Sequence, residues 1–196
     1  PVIRADDHGV SETTVEICTE SRAVIILNDR IIGDLSLTPT DLEAFAAGYL
    51  VCEVYIGSVR DITDMCISLP EIRITVEKVA DESICCRYSM NSSGGSCREL
   101  LPQGDITPLP DGPVLNASAI LSSMAAVNEY SVIWRRTGGM HCSLIVREDG
   151  EIVCGVEDMG RHTTVDKAVG IALQKGTDLG ECYLICSGRL PVDMVA

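Results

Sequence analysis

Aromatic side chains are scarce in this chain: among 196 residues there are one Phe, one Trp and five Tyr. Unpaired bases are held on aromatic platforms, so the composition argues against a binder of single-stranded nucleic acid. Positive charge is scarce as well. Fifteen Lys and Arg stand against 29 Asp and Glu, a formal net charge of −14. A protein that displaces counterions from a nucleic-acid backbone needs the opposite sign. Any nucleotide held here is therefore a small one. No apolar stretch is long enough to span a bilayer.

Metal-binding patterns are missing despite ten cysteines and three histidines. There is no Cys-x-x-Cys pair for structural zinc, no His-x-Glu with a later Pro-Cys-x-x-Cys for a zinc deaminase, and no iron–sulfur spacing. A Walker loop and a Rossmann glycine fingerprint are also lacking. No metal site is expected. The opening residues do not read as a signal segment, and several cysteines lie inside apolar runs, so a reduced, cytoplasmic setting is expected. Cys18, Cys154, Cys182 and Cys186 are expected to serve as small core hydrophobes.

What is present suits a globular protein of one or two domains, with 46% hydrophobic and 22% charged residues. Pro1 to Gly9 reads as a loose terminus. Thr13 to Cys18 alternates like a strand, and Ala23–Leu27 and Ile31-Ile32 flank a hairpin turn at Asn28-Asp29-Arg30. Thr38 is placed to cap a helix, with Pro39 at its first position, Asp41 in its first turn and Leu42, Phe45, Ala46, Tyr49 and Leu50 on its apolar face. Glu71 to Lys78 alternates again. Two or three strands and one helix before residue 90 predict a β-rich amino-terminal domain.

Four prolines and two glycines between Pro102 and Pro113 mark a connection, which divides the chain into 1–112 and 113–196. Beyond it, Asn116 caps a helix whose Ile120, Leu121, Met124 and Val127 are expected to face the core. Asp149-Gly150 predicts a hairpin between Cys142–Val146 and the next strand. The carboxyl-terminal half thus reads as an α/β unit, and the whole chain as α+β.

The densest chemistry lies between Cys154 and Lys167. An apolar run through Ile152–Val156 gives way to Glu157 and Asp158, then Gly160, Arg161 and His162, and then a helical repeat from about 162 to 175. In a strand–turn–helix unit the helix opens with unpaired N–H groups that favour an anion, and Arg161 can fork onto a phosphate or carboxylate. A plain charged turn with Asp158 as helix cap has the same outline. Downstream, Cys182–Cys186 ends in Ser187-Gly188-Arg189, a second Gly-Arg turn. If the helix joins two parallel strands in a right-handed crossover, both turns fall at carboxyl strand ends, where open α/β sheets bind ligands. Thr137-Gly138-Gly139-Met140-His141 adds a third polar turn with a histidine.

A different chemistry is suggested by Ser89 to Arg98, a run of small polar residues holding Cys97 beside Arg98. A neighbouring cation favours thiolate, which suits nucleophilic or persulfide chemistry. An incidental loop cysteine is the plainer alternative. Cys85 and Cys86 would point to opposite faces of a strand and are not expected to act as one site.

These residues resemble the FdhD/NarQ family of formate dehydrogenase accessory sulfurtransferases. The most specific match is Glu157-Asp-Met-Gly-Arg-His-Thr-Thr-Val-Asp-Lys167, close to the family pattern E-D-V-G-R-H-N-A-V-D-K. Thr137–His141, Ser187–Arg189 with Met194-Val195, and Thr38–Glu43 leading to Gly48–Leu50 support it. The resemblance implies a carboxyl-terminal domain of cytidine deaminase-like three-layer fold without zinc, and a homodimer. It also implies transfer of persulfide sulfur from a cysteine desulfurase to the molybdenum bis-molybdopterin guanine dinucleotide cofactor of formate dehydrogenase. Carried onto this chain, Cys97 is the sulfur carrier. Thr137, Gly138, His141, Asp158, Gly160, Arg161, His162, Asp166, Lys167, Ser187, Gly188 and Arg189 are the cofactor-binding set. A non-catalytic chaperone for the same cofactor is the rival reading.

The sequence departs from the family pattern in places. Gly94 stands where the first of two loop cysteines is common, Thr163 and Thr164 replace Asn-Ala, and Leu190 replaces a frequent serine. The end at Ala196 is expected to leave the carboxyl-terminal sheet incomplete.

Overall fold

The computed structural model describes residues 1–80, 114–191 and 194. Cys85, Cys86, Cys97 and the proposed boundary near 112 lie outside them. The chain forms a mixed α/β structure with three sheets and four helices among the described residues.

The first sheet grows from a hairpin. Strands β3 (Ser21–Leu27) and β4 (Arg30–Leu37) are joined at Asn28 and Asp29, both with positive φ (45° and 63°). Two left-handed residues match the right-handed twist of the flanking strands, which is the hairpin expected at this position. Asn28 also reaches β6 (Glu71–Val76): its side-chain N–H donates to the Val76 carbonyl at 3.1 Å, and its carbonyl accepts the Val76 N–H at 3.0 Å. β6 runs parallel to β3 and antiparallel to β5 (Ile62–Ser68), giving the order β4-β3-β6-β5. The alternation foreseen for β6 is seen directly, with Ile72, Ile74 and Val76 buried between exposed Glu71, Arg73 and Thr75.

Helix α1 (Leu42–Cys52) covers one face of this sheet, burying Phe45, Tyr49 and Leu50 against Ala23, Ile25, Leu27, Ile72 and Ile74. Its amino-terminal end differs from expectation. Asp41, in the left-handed region, holds the cap position without a side-chain bond, because Thr38 is engaged elsewhere. The beginning of the chain differs too. The strand expected over Thr13 to Cys18 is instead an earlier hairpin, β1 (Val2–Asp6) paired with β2 (Gly9–Thr13), and 14–20 is irregular.

The second sheet has the order β8-β7-β9, from β7 (His141–Arg147), β8 (Ile152–Asp158) and β9 (Cys182–Cys186). β8 and β9 run parallel to each other with a helix between them in the chain, as the sequence suggested, but β7 separates them in the sheet. The turn at Asp149-Gly150 folds β8 back on one edge of β7, so β9 takes the other edge, and β7 runs antiparallel to both. Helix α4 (Arg161–Gln174) packs on one face through Ala168 and Ala172 against Ile145, Cys154 and Val156. Helix α2 (Ala117–Tyr130) packs on the other, against Cys142, Leu144 and Val146. Asn116 caps α2 as expected, accepting from Ser118 N–H at 2.9 Å. Only part of the expected α2 stripe faces the core: Val127 packs against it and Ile120 is half-buried, but Leu121 and Met124 are 66% and 54% exposed. Small Ala119 and Ser123 face inward instead, and the Ser123 hydroxyl meets the Tyr183 hydroxyl at 2.9 Å. α2 is apolar on both sides, so hydropathy alone could not select the buried one. A short helix, α3 (Val132–Thr137), leads into β7.

The two sheets meet through their helices. α1 crosses α4 so closely that a Cβ at Gly48 would overlap the Asp166 carbonyl, and one at Gly170 would overlap the Ala44 carbonyl. Glycine at both positions lets main chain lie on main chain.

Candidate functional site

The antiparallel second sheet brings the three polar turns to one end. β7 starts at His141, directly opposite Asp158 at the end of β8. β9 ends at Cys186 opposite Ser143, so Ser187 emerges beside His141. The join is tight: Ser187 N–H donates to the Cys142 carbonyl and Cys142 N–H donates to Ser187 Oγ, both at 2.9 Å. Ser187 Oγ lies 3.5 Å from His141 Nδ1. At Gly188 an added Cβ would stand 2.9 Å from Arg161 Cβ and 3.3 Å from His141 Nδ1, which places Gly188, Arg161 and His141 in one cluster. Cys186 belongs to the same corner, its sulfur accepting the Gly188 N–H at 3.3 Å.

This cluster is cationic. Burial, reinforced by the positive charge of Arg161, holds the His141 imidazole below its ordinary range; Asp158 opposes the shift and Arg189 adds to it. The Arg161 Nε is buried and has no hydrogen-bond partner among the described residues. A buried guanidinium donor left unpaired is costly unless something else accepts from it. His162 follows in the first turn of α4, half-buried, and Arg189 is exposed at the rim.

Beneath the cluster lies a saturated carboxylate. Asp158 Oδ1 accepts from Gly160 N–H at 2.8 Å and the Thr163 hydroxyl at 2.6 Å. Its Oδ2 accepts from Thr38 N–H at 3.0 Å and Lys167 Nζ at 2.6 Å. Lys167 also donates to the Thr38 carbonyl at 2.8 Å. Gly160 opens α4 in an extended conformation and has no side chain to cap it, so Asp158 and Thr163 set the turn. An added Cβ at Gly160 would overlap the Thr163 hydroxyl.

The residues selected from sequence therefore fall into three places. His141, Arg161, Gly188, Ser187 and Arg189 meet at the sheet end, with His162 next to them in the chain. Asp158, Gly160 and Lys167 lie under that corner and hold its geometry, Asp158 and Lys167 exposing no surface. Thr137, Gly138 and Asp166 stand apart. Thr137 Oγ1 donates to the Ile133 carbonyl at 2.8 Å and accepts from the Cys18 thiol at 3.1 Å. Gly138, with φ 69°, ends α3 in the left-handed conformation that glycine adopts freely. Asp166 faces α1: desolvation, then the nearby Glu53 charge, push its carboxyl well above the ordinary range, although Cys52 donates to it.

Sequence reasoning missed the supports. Glu157, 8% exposed, accepts from Ile133 and Trp134 N–H at 2.7 Å each and so anchors α3. Ser143 Oγ donates to Thr164 Oγ1 at 2.9 Å, tying β7 to the first turn of α4. The Thr163-Thr164 departure from the family pattern was the available signal, since both hydroxyls bond inside the turn. Of the cysteines expected in the core, Cys154 is buried, with its thiol donating to the Ala168 carbonyl at 3.3 Å, whereas Cys18, Cys182 and Cys186 are half-buried. All seven described cysteines are free thiols. Among the described residues no group of three or more His, Cys, Asp or Glu could hold a metal ion. No helix among them is long and apolar enough to cross a membrane.

The fold as a whole resembles that of a crystal structure from Desulfotalea psychrophila, assigned as a formate dehydrogenase accessory protein. The TM-score is 0.77 at 26% identity, covering 99% of this chain and 76% of that one. The model of the FdhD/NarQ family matches residues 18–196, and the chain belongs to that family. Among its relatives, the sulfur carrier protein FdhD of Methanothermobacter thermautotrophicus is 33% identical over 172 residues, covering 87% of this chain and 67% of the relative. The protein of the same name from Streptomyces avermitilis is 29% identical over 220 residues, covering 98% and 76%.

Proposed function

We propose that this protein is a sulfur carrier for the maturation of formate dehydrogenase, working in the cytoplasm as a homodimer. Its cargo is the molybdenum bis-molybdopterin guanine dinucleotide cofactor, and the corner formed by His141, Arg161, His162 and the Ser187–Arg189 turn holds the phosphates of that cofactor. Thr137, Gly138, Asp158, Gly160, Asp166 and Lys167 shape the surrounding turns and the α4 helix. The carrying observation is the convergence of His141, Arg161 and Arg189, with Arg161 Nε buried and unpaired among the described residues. Guanidinium groups recognise phosphate through paired donors, and a helix start adds backbone N–H groups of the same polarity. The cytidine deaminase-like assignment of the carboxyl-terminal domain, 113–196, belongs to the same proposal, with 1–112 as the amino-terminal domain.

Sulfur is carried on Cys97. Its thiolate attacks the terminal sulfur of a desulfurase persulfide, forming an S–S bond at Cys97 and releasing the desulfurase thiolate, with no net redox change. Delivery breaks that bond: the metal supplies two electrons to the sulfane sulfur, and Cys97 leaves as thiolate. The remaining thiols are worse candidates where burial raises them, as at Cys142 and Cys154.

Incubation with a cysteine desulfurase and cysteine, followed by peptide mass spectrometry, should find one added sulfur on Cys97. Absence of that adduct, with guanosine diphosphate binding intact, would leave a non-catalytic chaperone as the function.

A further inference from the structure

The anion-binding corner rests on a residue from the other sheet, 120 positions earlier in the chain. Thr38 follows directly on β4 and is 5% exposed. Each of its polar groups engages the second sheet or its helix. The amide N–H donates to Asp158 Oδ2 at 3.0 Å, the carbonyl accepts from Lys167 Nζ at 2.8 Å, and the hydroxyl oxygen accepts Met159 N–H at 3.3 Å. The hydroxyl also lies 3.7 Å from the Met140 sulfur, next to His141. None of these bonds caps α1, the role its sequence context suggests.

The consequence is geometric. Asp158 places the Gly160 N–H and the Thr163 hydroxyl, and Thr38 places Asp158. Met159, between Asp158 and Gly160, would have a poorly exposed N–H to satisfy if the Thr38 hydroxyl were removed. Ligand donors that are fixed beforehand bind more tightly than donors that must be ordered on binding.

We infer that Thr38 is a positioning residue for the anion-binding turn, locking Asp158 and Met159 so that Arg161 and the start of α4 meet the ligand in a single geometry. This rests on the pocket assignment above. It also makes the first sheet part of the binding apparatus, because β4 leads directly into the residue that sets the turn.

The test uses the full chain, with inorganic pyrophosphate and guanosine diphosphate as probes. Thr38→Val keeps the shape and removes the hydroxyl, and Thr38→Ser keeps the hydroxyl. Loss of one hydrogen bond predicts that Thr38→Val weakens both probes by about fivefold, and that Thr38→Ser stays within about twofold of the unmodified protein. Amide exchange, read by NMR without ligand, should accelerate at Met159 in Thr38→Val and recover in Thr38→Ser. A merely structural role would lower the melting temperature and leave affinity and rescue unchanged. Should Thr38→Val fold poorly, Thr38→Ala takes its place under the same readouts. A folded hydroxyl-free variant that binds both probes with unmodified affinity overturns the role of Thr38. Failure of the unmodified chain to bind either probe is a separate result, and it overturns the pocket itself.

Discussion

Lys167 Nζ sits 2.6 Å from Asp158 Oδ2, and neither side chain exposes any surface. A buried ion pair gains little over a well-packed apolar pair, but breaking it leaves one charge stranded. Lys167→Met should therefore cost about 3–5 kcal/mol of stability in urea denaturation. Adding Asp158→Asn to it should recover part of that loss, because the stranded charge is gone. Equal stability of the single variant and the unmodified protein would show the pair to be dispensable.

The proposed ligand corner should respond to pH. His141 is held below its ordinary value of 6.5 by burial and then by Arg161. A bound polyanion favours the imidazolium, so binding takes up a proton and affinity should rise as pH falls. His141→Gln should flatten that slope in calorimetric titrations with guanosine diphosphate. A slope that survives the substitution assigns it to another group.

Arg161→Ala should weaken guanosine diphosphate by about tenfold or more, the usual worth of a hydrogen bond to a charged group. Exposed Arg189, screened by solvent, should cost less on substitution. The order of the two losses, measured by the same titration, checks the geometry: a larger loss at Arg189 would move the phosphate site outward.

Asp166 gives a pH test of stability rather than binding. Desolvation, followed by the Glu53 charge, raises its carboxyl well above 3.8. An acid raised in the folded state contributes stability that is complete below its unfolded value and lost as pH climbs through its folded value. Asp166→Asn should therefore raise the melting temperature at pH 8, with little change at pH 4. A gain confined to acid would reverse the assignment.

Gly170→Ala tests the helix crossing. The added methyl would overlap the Ala44 carbonyl, so the helices must part, at a cost of about 1–3 kcal/mol or more. Gly176, with φ 73° and open space around it, is the control: there alanine pays only in backbone conformation.

Much of the corner was legible because its chemistry is local. The Glu157-to-Lys167 segment announces a strand, a turn and a helix in its own spacing, and β8 and α4 follow it closely. The hairpin at Asn28-Asp29 and the cap at Asn116 were legible for the same reason. What stayed hidden depends on distant partners. Nothing near Lys167 reveals that its ammonium reaches Thr38, and nothing near Thr38 reveals that it abandons α1. β5 escaped notice because an edge strand needs only partial burial, so Ile62, Met65 and Ile67 are spread among polar residues without strict alternation. The place of β7 between β8 and β9 is a matter of which edge is free after the hairpin closes, and no residue type records it.

The crossing of α1 and α4 has a practical corollary. Main chain meets main chain at Gly48 and Gly170, and Thr38 clasps Asp158 and Lys167, so the described halves share a complementary interface of their own. Two separately expressed polypeptides, one ending at Ala80 and one starting at Val114, should reassemble in the tube. Such a split protein would lack Cys97, so on the proposed function it should keep the anion-binding corner and take up no sulfur.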